Sequence, residues 1–103
     1  MNYHTTVDIK KETYEYIKKC LNSTPEEMRE AKCNTLTRFT GKFENGFEAD
    51  VYLQSSDDDF YIDATLYDEN GSHLVTTDVC DELEGDFDFE YNGDTFKLTV
   101  NIL

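Results

Sequence analysis

Carboxylates are the residues of this chain best supplied for chemistry, with 23 Asp and Glu against nine Lys and Arg. Asp57-Asp58-Asp59 and the run Asp68-Glu69-Asn70-Gly71 offer the oxygen ligands that a hard cation takes. A calcium loop also needs ligands at fixed positions, a glycine at the sharp turn and a distal bidentate Glu. Neither run has that spacing. The two histidines, His4 and His73, lie far apart, and Cys20, Cys33 and Cys80 form no Cys-x-x-Cys, so a four-ligand zinc site cannot be assembled. The sequence contains no phosphate-cradling glycine loop and no G-x-S-x-G, and its pattern demonstrates no Ser or Cys held near a His in the fold. Paired carboxylates could do general acid–base work, but their abundance singles out no pair. The expectation is a protein without catalytic residues, metal or cofactor, its thiols reduced as in a cytoplasmic protein.

What remains is where the acids fall. Residues 1–42 carry eight Lys or Arg and six Asp or Glu, a balance of +2; residues 43–103 carry Lys97 against 17 acids, a balance of −16. Many acids alternate with apolar residues, as strands with one covered face require: Glu48 and Asp50, then Asp63, then Asp86, Asp88 and Glu90. Others sit in loops, Asp57, Asp58 and Asp59 among them. A net charge of −14 exceeds the roughly −2 to −8 that solubility asks of a small domain. The pattern therefore points to an anionic sheet face, with its hairpin loops, presented to a basic protein partner. Carboxylates would pair with Arg and Lys, and Tyr52, Tyr61 and Tyr67 would anchor between them. The alternative is an assembly module, a homodimer joined through a sheet edge, in which the acids only keep the surface solvated.

These residues need a scaffold, and the periodicity supplies one. Tyr3, Thr5, Val7 and Ile9 share one face of a strand, with His4, Thr6 and Asp8 on the other. Tyr14, Ile17 and Leu21 give Lys11–Leu21 a helical stripe, with Cys20 beside it. Thr24-Pro25-Glu26-Glu27 reads as the capped start of a second helix, with Met28 inward, ending near Lys32 to Asn34. From Thr35 the period is two, and three Asn-Gly pairs mark hairpins. A three-residue loop Glu44-Asn45-Gly46 sets Phe39 against Val51 and Gly41 against Ala49; a two-residue loop would mix core with charge. The loop Glu69-Asn70-Gly71 matches Leu66 with Leu74. A two-residue loop Asn92-Gly93 sets Phe89 against Phe96, Phe87 against Leu98 and Asp88 against Lys97.

The fold expected is α+β: two N-terminal helices packed on one face of a mostly antiparallel meander of about six strands. Phe39, Phe43, Val51, Leu53, Phe60, Ile62, Leu66, Phe87, Phe89, Leu98, Val100 and Ile102 form its inner face. It is one domain over 1–103, with a helical lid and edge strand in 1–33 and the sheet in 34–103. No apolar run reaches the ~20 residues of a membrane span, and no basic segment followed by an apolar one opens the chain. A cytoplasmic monomer or homodimer is the default.

Two resemblances follow. Thr5-Thr6-Val7-Asp8-Ile9 with Lys11-Glu12-Thr13-Tyr14 resembles the strand-to-helix opening of ribbon-helix-helix repressors over the first fifth of the chain. Asp8 would face the phosphates there and the remaining sheet is anionic, so direct nucleic-acid binding is not expected and Thr5–Ile9 is read as an edge strand. By type, the chain resembles DNA-mimic inhibitors such as the uracil-DNA glycosylase inhibitors, immunity proteins against nuclease toxins, and small acidic proteins of bacterial mobile elements. That resemblance implies a non-enzymatic protein occupying the basic nucleic-acid-binding surface of its partner. It carries over no residues, because no motif is shared.

Overall fold

A computed structural model of the chain describes residues 1–24, 26–27, 37–55, 60–77 and 82–103. Its elements run β1 (Asn2–Ile9), α1 (Lys11–Leu21), β2 (Arg38–Lys42), β3 (Glu48–Ser55), β4 (Phe60–Tyr67), β5 (His73–Thr76), β6 (Gly85–Tyr91) and β7 (Asp94–Ile102). They make two sheets, one ordered β2-β3-β4-β5 and one ordered β1-β7-β6. Every neighbouring pair is antiparallel except β1 with β7, which run parallel.

This corrects the expected layout of two helices on one face of a single six-stranded meander. Six strands at about 4.8 Å spacing span roughly 25 Å, and a helix is about 10 Å across. The helix α1 is too narrow to cover that apolar face, so the two halves of the meander cover each other. The break falls between β5 and β6, which lie side by side without a shared ladder. Strand β1 does lie at a sheet edge, longer than foreseen, with Tyr3, Thr5, Val7 and Ile9 turned inward. The second helix falls largely outside the described residues, Met28 included. At its expected start, the Glu27 N–H donates to Thr24 Oγ1 at 3.3 Å.

The core forms where the sheets face each other: Val51, Ile62 and Leu66 from one, Phe89, Phe96 and Leu98 from the other, all fully buried. Phe96 stacks between Tyr3 (centroids 4.9 Å apart) and Phe47 (5.2 Å), and Phe43 meets its edge at 5.2 Å. Such ring pairs add roughly 0.5–1.5 kcal/mol each beyond burial. At the opposite end, Ile17 and Cys20 of α1 are buried and Ile17 joins the core together with Leu83. Of the inner-face residues expected, Phe39, Leu53 and Ile102 are only partly buried against this cluster, and Phe60 is half-buried at the start of β4.

Two hairpins adopt the expected registers. Phe39 pairs Val51 and Gly41 pairs Ala49, with Phe43 N–H donating to Phe47 O at 2.8 Å around the Glu44-Asn45-Gly46 loop. Phe89 pairs Phe96 and Asp88 pairs Lys97, closed by Asn92 (φ 53°) and Gly93 (φ 85°), the doubly left-handed turn that favours Asn-Gly. The middle hairpin has the expected loop, with Asp68 N–H donating to Ser72 O at 3.0 Å. Beyond it, however, Leu66 pairs Val75 rather than Leu74. A bulge between Leu66 and Tyr67 absorbs the extra residue, which brings Thr76 opposite buried Thr65 and lets the hydroxyls bond at 3.2 Å.

Candidate functional site

The residues proposed for binding do not share one surface. Glu48, Asp50, Tyr52, Tyr61, Asp63 and Tyr67 lie on the outer face of the four-stranded sheet, whereas Asp86, Asp88 and Glu90 lie on the outer face of the other sheet, across the core. Asp57, Asp58 and Asp59 lie outside the described residues.

On the four-stranded sheet Asp50 is drawn into the structure, and Glu48 and Asp63 are half-buried. Strand β2 places Arg38 opposite Tyr52 and Lys42 opposite Glu48. The Arg38 guanidinium sits 4.7 Å from the centre of the Tyr52 ring and 3.8 Å from Asp50 Oδ2. Asp50 also accepts the Thr40 hydroxyl at 2.7 Å and is only 8% exposed. From Tyr52 a chain of hydroxyls crosses the sheet: Tyr52 to Thr65 at 3.3 Å, Thr65 to Thr76 at 3.2 Å, and Thr76 to His73 Nε2 at 2.6 Å. His73 meets the Tyr67 ring edge-on at 6.2 Å. Three acids of this face (Glu48, Asp50, Asp63) thus stand among two cations, Arg38 and Lys42. The sequence reading overlooked that balance, although the β2–β3 register it chose implies it.

Strand β6 is different. Asp86, Asp88 and Glu90 are exposed, on one face, at successive i, i+2 positions of a sheet edge. The ion pairs among the described residues are Arg38–Asp50 and the Met1 amino group with Asp94 at 2.8 Å. Neither involves β6, and Lys97, though opposite Asp88, makes none with it. Adjacent carboxylate positions lie about 6.8 Å apart along such a strand. At Debye lengths near 8–10 Å, three charges at that spacing act on a partner together.

Two smaller constellations have structural explanations. His4 Nε2 lies 2.7 Å from Thr99 Oγ1, and the Thr99 hydroxyl donates to Asp86 Oδ1 at 2.7 Å. With its proton committed to the carboxylate, Thr99 accepts from the imidazole N–H. This is the reverse of what activates a nucleophile, where the hydroxyl must donate to the base. Asp68 Oδ1 accepts the N–H groups of Asn70 (2.9 Å) and Ser72 (2.8 Å), so its acidic run is turn chemistry. No group of three or more metal-ligating side chains occurs among the described residues. No helix among them is long and apolar enough to cross a membrane.

One titration is displaced. Partial burial of its ring on α1, the hydrogen bond to Glu82 at 3.1 Å, and the negative charges of Glu82 and Glu84 hold the Tyr14 phenol above the usual tyrosine range. Tyr14, Ile17, Leu21, Glu82 and Leu83 line a small cavity of about 220 Å³ there. No family model, curated protein or solved structure matches the chain.

Proposed function

We propose that this protein is a non-enzymatic binding module that offers carboxylates to the basic surface of a partner protein. The observation that supports it most is the β6 edge, where three exposed carboxylates stand without an ion-pair partner among the described residues. Leaving them uncompensated favours the native fold little and raises self-repulsion, while it steers and holds a cationic partner. A nucleic-acid-binding protein is the partner class that fits best, since its groove is built to receive anions at regular short spacing. Occupying that groove would block its nucleic acid.

The experiment is affinity capture on the immobilised protein at low ionic strength, repeated with Asp86→Lys/Asp88→Lys/Glu90→Lys. The wild type should retain basic, nucleic-acid-binding proteins that elute as salt rises, and the triple variant should lose them. Retention of nothing basic, or equal retention by both, rejects the reading. The homodimer alternative has an obstacle at this edge: antiparallel self-pairing of β6 would set like charges against each other. Sedimentation at high salt, which screens that repulsion, checks it.

A further inference from the structure

The two places where the sheets meet edge to edge differ. Beside β1, strand β2 is packed so closely that a Cβ on Gly41 would come within 2.6 Å of Leu98 Cδ1 and 2.8 Å of Thr5 Cγ2. Between β5 and β6 there is instead a groove of about 480 Å³, lined by Val75, Thr76 and Thr77 on one side and Asp86 to Glu90 on the other. Both strands end their sheets there.

The direction of the β6 backbone follows from its neighbour. Thr95 N–H donates to Met1 O at 2.9 Å, toward β1 and away from β6. Opposed residues of an antiparallel pair either exchange both hydrogen bonds or none. Thr95 stands opposite Glu90, so the N–H and C=O of Glu90 point off the free edge, and alternation extends this to Asp88 and Asp86. The residues whose backbone groups are open are therefore the ones that carry the carboxylates.

We propose that this edge is a strand-addition site: an extended segment of a partner protein, basic at alternate positions, pairs with the backbone of β6 in the groove beside β5. The inference rests on the acidic-binding reading and names the chemistry of its partner. Paired residues share a face, so side chains opposite Asp86, Asp88 and Glu90 are Lys or Arg. The residues between them turn toward Phe87, Phe89 and Val75 and are small and apolar. Backbone bonds supply affinity and the alternating side chains supply selectivity.

A synthetic peptide of alternating lysine and valine tests this, beside two versions N-methylated on the backbone at every lysine or at every valine. Charge is the same in all three. In antiparallel addition the lysine amides face β6, and in parallel addition the valine amides do. One methylated version should therefore bind at least about tenfold more weakly than the parent, since several backbone bonds are lost. The parent should also slow hydrogen exchange at the Asp86, Asp88 and Glu90 amides. If both methylated peptides bind like the parent, strand addition is overturned while the charge-based reading stands. If no peptide binds at low salt, both fall.

Discussion

The outer face of the four-stranded sheet and the β6 edge carry the same residue types in the same alternation, yet they differ in exposure: Asp50 is buried and Glu48 and Asp63 are half-buried, whereas Asp86, Asp88 and Glu90 are exposed. On the four-stranded sheet, β2 delivers Arg38 and Lys42 against Tyr52 and Glu48, and Asp50 is sealed beneath Thr40 and Arg38. On β6 the single cation opposite, Lys97, makes no ion pair, and the outer side ends its sheet without a ladder partner among the described residues. An acid's role is therefore set by how far its neighbours enclose it rather than by the charge of its own segment: Glu48 opposite Lys42 and Asp88 opposite Lys97 both make no ion pair, and only their exposure differs. Asp50 helps hold its sheet together; the carboxylates of β6 stand exposed to whatever lies outside the chain.

Gly41 is where that contrast breaks most easily. It lets β2 settle against β1 and β7, and so fixes Arg38 and Lys42 over β3. Gly41→Val should cost about 3 kcal/mol by overpacking, read as a lower urea midpoint, and should loosen the pairing of β2 with β3. Next in size, Asp50→Ala leaves Thr40 and Arg38 without their acceptor and should cost about 1–3 kcal/mol. Asp88→Ala, at an exposed edge, should stay within about 0.5 kcal/mol. Equal costs for those two would erase the distinction. Thr65→Val removes the buried hydroxyl between Tyr52 and Thr76 and should cost about 1 kcal/mol.

The smallest effect lies in alkali. A folded-state phenol held above its unfolded value, about 10, contributes stability that is complete below that value. The contribution is lost as pH rises through the higher folded value. Stability should therefore fall in strong alkali by a step that Tyr14→Phe removes, at a cost near 0.5 kcal/mol at neutral pH for the lost bond to Glu82. A pH series of urea melts on both proteins shows the difference.

Much of the local structure was legible because turn chemistry and alternation agree. The Asn-Gly loops at Asn45 and Asn92 led to registers that the structure adopts pair by pair, and α1 spans Lys11–Leu21 as its stripe implied. The bulge after Leu66 was not legible, since Leu74 and Val75 are both apolar and either can satisfy an alternating pattern. The split into two sheets was missed for a physical reason: alternation shows that a strand has one buried face, and is silent on whether a helix or another sheet buries it. The candidate site inherited that gap. With one sheet assumed, Asp50 and Asp88 belonged to a common face; with two, they lie on opposite sides of the core.

The central claim is that the available carboxylates are those of β6. The direct measurement is the affinity for polylysine at low salt of the wild type, Asp88→Asn/Glu90→Gln and Glu48→Gln/Asp63→Asn, each pair removing two negative charges. The account predicts that the β6 pair weakens binding at least about tenfold, roughly 1.4 kcal/mol, while the pair on the four-stranded sheet binds within about threefold of the wild type. Equal losses in both, or the larger loss from Glu48 and Asp63, would contradict it.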